Sequence, residues 1–133
     1  MRIDHIAIAV NDLEPALENF KKVLNIDHVD FEDIQTEGVK VAILKLEDTR
    51  VELLQPLDDS SPISKFLSEK GEGIHHVAIT ADEIEKDVER ASSNGAKILG
   101  GIRGGSYGRK IAFIHPKSVN GVLMELCQSH SDS

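Results

Sequence analysis

Length, composition and charge limit the classes of protein to which this chain can belong. It has 133 residues, 29% of them charged, and a formal net charge of −8, which fits one compact soluble domain. The acidic excess argues against general nucleic-acid binding, which relies on Lys and Arg to neutralise phosphates. No apolar run approaches the roughly 18 residues of a membrane span, and Met1 leads into an apolar strand without room for a signal peptide. The single cysteine, Cys127, fits a reducing compartment, so a cytoplasmic protein is expected.

The first part of the chain predicts the element order βαβββ. Alternation over residues 3–10 predicts a strand in which His5 faces away from the bulky apolar side chains, toward a cavity. Asp12 is the expected N-cap of a helix of about three turns. Three strands are expected to follow, at about 27–36, 39–46 and 50–55.

The second part of the chain repeats that order. A strand through 74–80 precedes Asp82, which forms an expected capping box with Glu85, and Gly95 ends the predicted helix. Three further strands are expected, near 97–103, 110–115 and 121–128.

The two copies are expected to form one domain over residues 1–133. Module 1 covers about 1–56 and module 2 about 73–128, and between them a connector of about 57–72 contains a short helix that begins at Ser61-Pro62. Ser129 to Ser133 are expected to form a polar tail.

The duplication includes side chains of the kind that bind metal ions. Ile3-Asp4-His5-Ile6-Ala7-Ile8 returns as Ile74-His75-His76-Val77-Ala78-Ile79, and Val51-Glu52-Leu53-Leu54-Gln55 returns as Met124-Glu125-Leu126-Cys127-Gln128. If the modules pack about a pseudo-twofold axis, two His and two Glu converge on one point. That composition is typical of a divalent-metal site.

Each of these residues taken alone has a more ordinary explanation. A single His on a strand is usually a satisfied, partly buried side chain, and a single Glu in a strand usually lies on a solvated face. The recurrence of all four at equivalent positions favours the metal site. His75 points to the opposite face from His76 and is expected to be structural or to support a ligand.

Four longer motifs occur along the chain: Asp4-His5-Ile6-Ala7, Gly73-Ile74-His75-His76-Val77-Ala78, His115-Pro116-Lys117-Ser118 and Gly121-Val122-Leu123-Met124-Glu125-Leu126. They resemble those of the methylmalonyl-CoA epimerases, a family in the vicinal oxygen chelate superfamily. The resemblance runs over nearly the whole chain and implies an α+β fold, in which two tandem βαβββ modules form a curled mixed sheet around a metal-binding cavity.

This resemblance implies a cofactor, an activity and an assembly. His5, His76 and Glu125 are the implied ligands of a divalent metal ion, with Glu52 in the position of a fourth. Co²⁺ is the first choice, and Mn²⁺, Zn²⁺ or Ni²⁺ are alternatives. The implied reaction interconverts (2R)- and (2S)-methylmalonyl-CoA, and the implied assembly is a homodimer. Val41 departs from the pattern, because some epimerases have a catalytic Glu at this position.

The expected reaction explains why such a site is needed. Removal of the proton between a thioester and a carboxylate places negative charge on the thioester oxygen, and a coordinated metal ion stabilises that enolate. A proton must then reach the opposite face, which calls for a second acid/base group. Glu125 is the predicted first base, and Glu52 or a water molecule is the second. Glu37, beside a turn, is a weaker candidate.

The acyl-CoA substrate also requires basic groups for its anionic tail. Lys117, Ser118 and Arg109 are the predicted substrate contacts, because Lys117 and Ser118 belong to the His-Pro-Lys-Ser motif and Arg109 follows a glycine-rich loop at 104–108. For the basic residues, a solvated turn side chain is an equally good explanation.

Other functions fit the same duplicated pattern. A glyoxalase I would use the same metal ligands on a glutathione hemithioacetal, whereas a metal-free binding module of this fold would hold a small molecule without reaction. An iron-dependent ring-cleaving dioxygenase needs open coordination positions, which a fourth ligand at Glu52 would crowd.

Overall fold

The computed structural model describes residues 1–129, which form eight strands and three helices. The strands are β1 (Ile3–Ala9), β2 (Val29–Ile34), β3 (Val39–Lys45), β4 (Arg50–Pro56), β5 (Gly73–Ala81), β6 (Ile98–Gly104), β7 (Lys110–Ile114) and β8 (Met124–Gln128). The helices are α1 (Leu13–Val23), α2 (Pro62–Lys70) and α3 (Ile84–Ser93). The predicted order βαβββ is therefore confirmed in both halves. Most of the expected tail, residues 130–133, lies outside the described residues.

The chain divides into two compact units. One unit is His5–His75, and the other combines Met1–Asp4 with the chain from His76 onward. Both boundaries fall inside a strand, the first in β1 and the second in β5. None of the three helices within residues 1–129 has the length and hydropathy needed to cross a membrane.

In the unit of residues 5–75, the strands follow the order β2-β3-β4-β1. Strand β1 runs parallel to β4, and the other neighbours are antiparallel. Helix α1 buries one face against this sheet, because its apolar residues recur at helical spacing. The resulting core consists of Val10, Leu13, Leu17, Ala42, Leu44 and Leu53.

In the second unit, the strands follow the equivalent order β5-β8-β7-β6. Strand β5 runs parallel to β8, and β7 is antiparallel to both β8 and β6. Helix α3 packs through Ile84, which is fully buried. The core of this unit consists of Ala81, Ile84, Ala112, Ile114 and Leu126.

The connector forms the expected helix, α2. The hydroxyl of Ser61 accepts a hydrogen bond from the Ile63 amide at 3.2 Å, and Pro62 occupies the first helical position. Gly71 ends the helix with a φ of 78°, a conformation that favours glycine. The buried side chain of Ile63 makes this connector a packed part of its unit.

The starts of α1 and α3 are capped differently from the sequence-based prediction. The first amide of each helix donates to a glutamine at the end of a neighbouring strand, Leu13 to Gln55 Oε1 at 2.7 Å and Ile84 to Gln128 Oε1 at 2.9 Å. Asp12 occupies the predicted N-cap position of α1, but its side chain makes no capping hydrogen bond. The strand glutamines therefore supply the acceptors that local side chains usually provide.

The predicted capping box of Asp82 and Glu85 is wrong. The N-cap residue of α3 is Glu83, without a side-chain capping hydrogen bond. The Glu85 carboxylate instead accepts a hydrogen bond from Lys110 Nζ at 2.7 Å. This hydrogen bond holds the pKa of Glu85 below its ordinary value.

Removal of the Gln55 cap should destabilise the protein more than removal of the local Asp12 side chain. We expect Gln55→Ala to lower the free energy of unfolding by about 1 kcal/mol, the typical cost of a lost N-cap acceptor. Asp12→Ala should cost about 0.5 kcal/mol, since only its charge near the helix dipole is lost. Urea-induced unfolding of the two variants measures the difference, and the reverse ranking would contradict capping by Gln55.

Candidate functional site

In the unit of residues 5–75, the buried side chains of His5 and Glu52 contact each other and the partly buried Arg50 on β1 and β4. Ala7 is paired with Glu52 in the parallel register, and His5 is paired with Arg50. His5 Nε2 lies 3.6 Å from Glu52 Oε1. Arg50 Nη2 lies 3.2 Å from Glu52 Oε2 and donates to His5 Nδ1 at 3.2 Å. The imidazole and the carboxylate thus lie side by side, with one guanidinium nitrogen in contact with both.

The second unit builds the equivalent pair on β5 and β8. Ala78 is paired with Glu125 in the parallel register, and His76 lies two residues before Ala78. His76 Nε2 is 2.9 Å from Glu125 Oε1. The ring of Phe113 meets the His76 ring edge-on, with centroids 5.0 Å apart. The carboxylate and the aromatic ring are thus both in contact with His76.

The same local design explains both pairs. An alanine that is fully buried, Ala7 or Ala78, stands opposite each glutamate and leaves room for the histidine two residues earlier. On the antiparallel side, Glu52 is opposite Ile43, so its carboxylate has a large apolar neighbour. Burial of an ionised carboxylate in such surroundings costs several kcal/mol unless it is paired. Each carboxylate has the histidine of its own unit beside it, and Glu52 has the Arg50 guanidinium beside it as well.

The two copies of the motif differ two positions before the glutamate. That residue is Arg50 in the copy with Glu52 and Leu123 in the copy with Glu125. Leu123 packs against the apolar cluster of Ile111, Phe113 and Cys127. Arg50 was not predicted from the sequence to be a functional residue, although its mismatch with Leu123 in an otherwise repeated motif was a signal for it.

Other residues considered for catalysis lie in different surroundings. Val41, at the position of the family's additional Glu, is fully buried and apolar, so it provides no acid/base group. Glu37 is half-buried in the 3₁₀ turn of Gln35–Glu37. His75 contacts the Phe66 ring edge-on at 4.9 Å between centroids, as a structural side chain would.

The predicted substrate contacts Lys117 and Ser118 lie on the 3₁₀ turn of Pro116–Val119 and are exposed. The Lys117 amide donates to His115 Nδ1 at 3.0 Å, and the Ser118 hydroxyl accepts from the Lys97 amide at 3.0 Å. These hydrogen bonds fix the turn and leave the Lys117 ammonium group exposed. Their role in substrate binding stays a prediction.

The sequence allowed Arg109 to be a solvated turn side chain, but in the structure only 9% of this residue is exposed. Its Nη2 donates to Asp4 Oδ1 at 2.7 Å, and its Nε donates to the Gln128 carbonyl at 2.8 Å. Asp4 is 4% exposed, so this is a buried ion pair. A contact between Arg109 and substrate stays a prediction, but the guanidinium already joins the start of β1 to the end of β8.

Comparison with known proteins places this architecture in a family. Residues 4–113 match the family described as Glyoxalase/Bleomycin resistance protein/Dioxygenase superfamily. The chain belongs to this superfamily. Its membership confirms the predicted fold class, the vicinal oxygen chelate fold with two tandem βαβββ modules and a mixed sheet.

Several relatives within the superfamily are epimerases. The chain is 38% identical to the ethylmalonyl-CoA/methylmalonyl-CoA epimerase of Cereibacter sphaeroides, over 96% of this chain and 97% of that protein. It is 37% identical to the mitochondrial methylmalonyl-CoA epimerase of Homo sapiens, over 96% of this chain and 74% of that protein.

A solved structure extends this similarity to the fold. Streptomyces coelicolor methylmalonyl-CoA epimerase (a variant in complex with 2-nitronate-propionyl-CoA) superposes with a TM-score of 0.94 and 34% identity, over 98% of this chain and 96% of that chain. The predicted resemblance to an enzyme family of the isomerase class is confirmed.

Loss of the buried Arg109 charge should be costly, whereas loss of its exposed neighbour should not. We expect Arg109→Met to lower the free energy of unfolding by about 3 kcal/mol, because Asp4 is left as an uncompensated buried charge. Adding Asp4→Asn should recover part of that loss. Lys110→Met breaks only the exposed pair with Glu85 and should have no measurable effect. Urea unfolding of the four proteins tests this, and equal losses for Arg109→Met and Lys110→Met would contradict a buried ion pair.

Proposed function

We propose that the protein is a metal-dependent epimerase that interconverts (2R)- and (2S)-methylmalonyl-CoA. One observation carries the proposal: buried His–Glu pairs recur at equivalent positions of two modules, in a chain similar over nearly its whole length to epimerases of this substrate.

We propose that His5, His76 and Glu125 hold one divalent cation, with Glu52 as a fourth ligand. All three are buried and offer nitrogen or carboxylate-oxygen donors, a mixed set that suits Co²⁺, Mn²⁺, Zn²⁺ or Ni²⁺.

The chain's own residues account for the proton transfers in the proposed reaction. Glu125 removes the α-proton, and Glu52 or a water molecule returns a proton to the other face. His76 is held in place by Phe113 and by Glu125 itself. A bound divalent cation supplies Lewis-acid stabilisation of negative charge on the thioester oxygen.

The remaining details of the proposal concern substrate, metal, assembly and location. Lys117 and Ser118 are proposed to meet the coenzyme A tail, since the Lys117 ammonium group is on an exposed turn beside the end of β7. Co²⁺ is the proposed metal, and a homodimer in the cytoplasm is the proposed assembly and location. The substrate contacts, the metal and the assembly rest on the resemblance to the epimerases, and the location rests on the single cysteine, Cys127, which fits a reducing compartment.

Proton exchange at the substrate tests the reaction directly. With Co²⁺ in deuterated solvent, we expect the wild-type protein to exchange the α-hydrogen of methylmalonyl-CoA, and Glu125→Gln to slow this exchange by at least about 100-fold, the lower end for loss of a general base. Glu37→Gln should exchange at the wild-type rate. Undiminished exchange by Glu125→Gln would remove Glu125 from the mechanism.

The same preparation separates the epimerase from the rival functions. An arm with ethylmalonyl-CoA measures the acyl range, and an arm with methylglyoxal and glutathione measures glyoxalase I activity. Turnover in the glyoxalase arm alone would replace the proposed function with that of a lactoylglutathione lyase. Absence of turnover in every arm would indicate a binding module.

Metal stoichiometry tests the proposed ligands. Equilibrium dialysis should give one Co²⁺ per chain, with affinity at least about 10-fold weaker in His5→Ala and in His76→Ala, because each variant loses one donor. The matched control is His28→Ala, which removes an exposed histidine that contacts Asp30 and should bind as the wild type does. Unchanged affinity in His5→Ala would contradict a site shared by the two modules.

A further inference from the structure

The motifs that contain Glu52 and Glu125 are repeated in most positions, but they differ two positions before the glutamate. Ile6 is paired with Val51 in the first unit, as Val77 is paired with Met124 in the second. The residue before Val51 is Arg50, at the start of β4, and the residue before Met124 is Leu123, immediately before β8. A cation is thus present beside Glu52, where the second copy of the motif has an apolar side chain.

Arg50 is built into its surroundings. Its side chain is 11% exposed and that of Glu52 is 4% exposed. The Arg50 Nη2 atom is 3.2 Å from Glu52 Oε2 and 3.2 Å from His5 Nδ1. The other carboxylate oxygen, Oε1, faces His5 Nε2 at 3.6 Å. The two oxygens of Glu52 therefore have different neighbours, Arg50 beside Oε2 and the imidazole beside Oε1.

We propose that Arg50 is a positioning residue that orients Glu52 and offsets its charge in the metal site. The inference rests on the proposed function, because it assigns Glu52 to a metal-binding group. The ion pair places Arg50 beside Oε2, at 3.2 Å, and leaves Oε1 as the oxygen for coordination. A charged group beside the second oxygen of a ligating carboxylate helps to orient it.

The charge of the site gives a second reason for an arginine at this position. Glu52 and Glu125 together carry as much negative charge as a dication carries positive charge. Arg50 adds back one positive charge beside Glu52, which favours the negative charge that develops on a thioester oxygen. Glu125 has no equivalent cation two residues before it, since that position is Leu123.

A double-mutant cycle on Co²⁺ affinity tests the inference. We expect Arg50→Met to weaken Co²⁺ binding by about 10- to 100-fold, the usual effect of removing a side chain that orients a ligand. Arg50→Lys should recover most of the affinity, because it keeps the charge. Arg50→Met combined with Glu52→Gln should bind no more weakly than Glu52→Gln alone, because Arg50 acts through Glu52. Isothermal titration calorimetry measures the affinities of the wild type and of the four variants.

Lys45→Met is the matched control for loss of a positive charge. Lys45 is paired with Arg50 in the β3–β4 register, and its ammonium contacts Asp30 at 3.4 Å. This variant should bind Co²⁺ as the wild type does. If Arg50 merely repelled the cation, Arg50→Met would bind Co²⁺ more tightly, and that result would overturn the proposal. Additive losses for Arg50→Met and Glu52→Gln would overturn it as well.

Thermal unfolding without metal tests the contact itself. Arg50→Met should lower the unfolding temperature because Glu52 stays buried without its cation, and the added Glu52→Gln change should restore part of the loss. No restoration would contradict the pairing. A wild-type protein that binds no Co²⁺ would refute the proposed metal site. Tight binding by the wild type together with a failed cycle would refute only the role of Arg50.

Discussion

Burial of two carboxylates within apolar strands is the constraint on which the rest of this structure depends. Glu52 and Glu125 are each 3% exposed, and removal of an ionised carboxylate from water costs several kcal/mol before any pairing energy is gained. Each is paired with a histidine. Well-packed apolar side chains at such positions are often at least as stabilising as a buried ion pair. The carboxylates are thus better explained by chemistry than by folding stability.

One short motif connects this site to the stability of the modules. In each copy a glutamate lies opposite a buried alanine, and the glutamine three residues later accepts the first amide of the module's helix. The strand that bears the site residue therefore also fixes the start of the helix packed on its sheet. At the end of β8, the Gln128 carbonyl additionally accepts from Arg109, so the buried ion pair with Asp4 adjoins the same strand end.

Local signals in the sequence predict the elements well, and contacts between distant residues explain what they miss. The alternation in strands, the spacing in helices and the glycine that ends α2, Gly71, are signals that involve only residues close in sequence. The order βαβββ that they predict is confirmed in both modules. The predicted capping box of Asp82 failed because the acceptor for the Ile84 amide is Gln128 Oε1, 44 positions along the chain. The burial of Arg109 depends on Asp4, 105 positions away, and no periodicity reports such a partner.

Duplication made the candidate site visible where single residues would not have done so. Recurrence of histidine and glutamate in both modules identified two pairs whose partners are indeed in contact within each unit. It did not identify Arg50, whose signal is of the opposite kind, a mismatch with Leu123 in an otherwise repeated motif. The binding of one ion by both modules stays a prediction. Anomalous diffraction at the cobalt edge from Co²⁺-loaded crystals tests it most directly. The account predicts one ion per chain bound by His5, His76 and Glu125, and an ion bound by only one module's residues would contradict it.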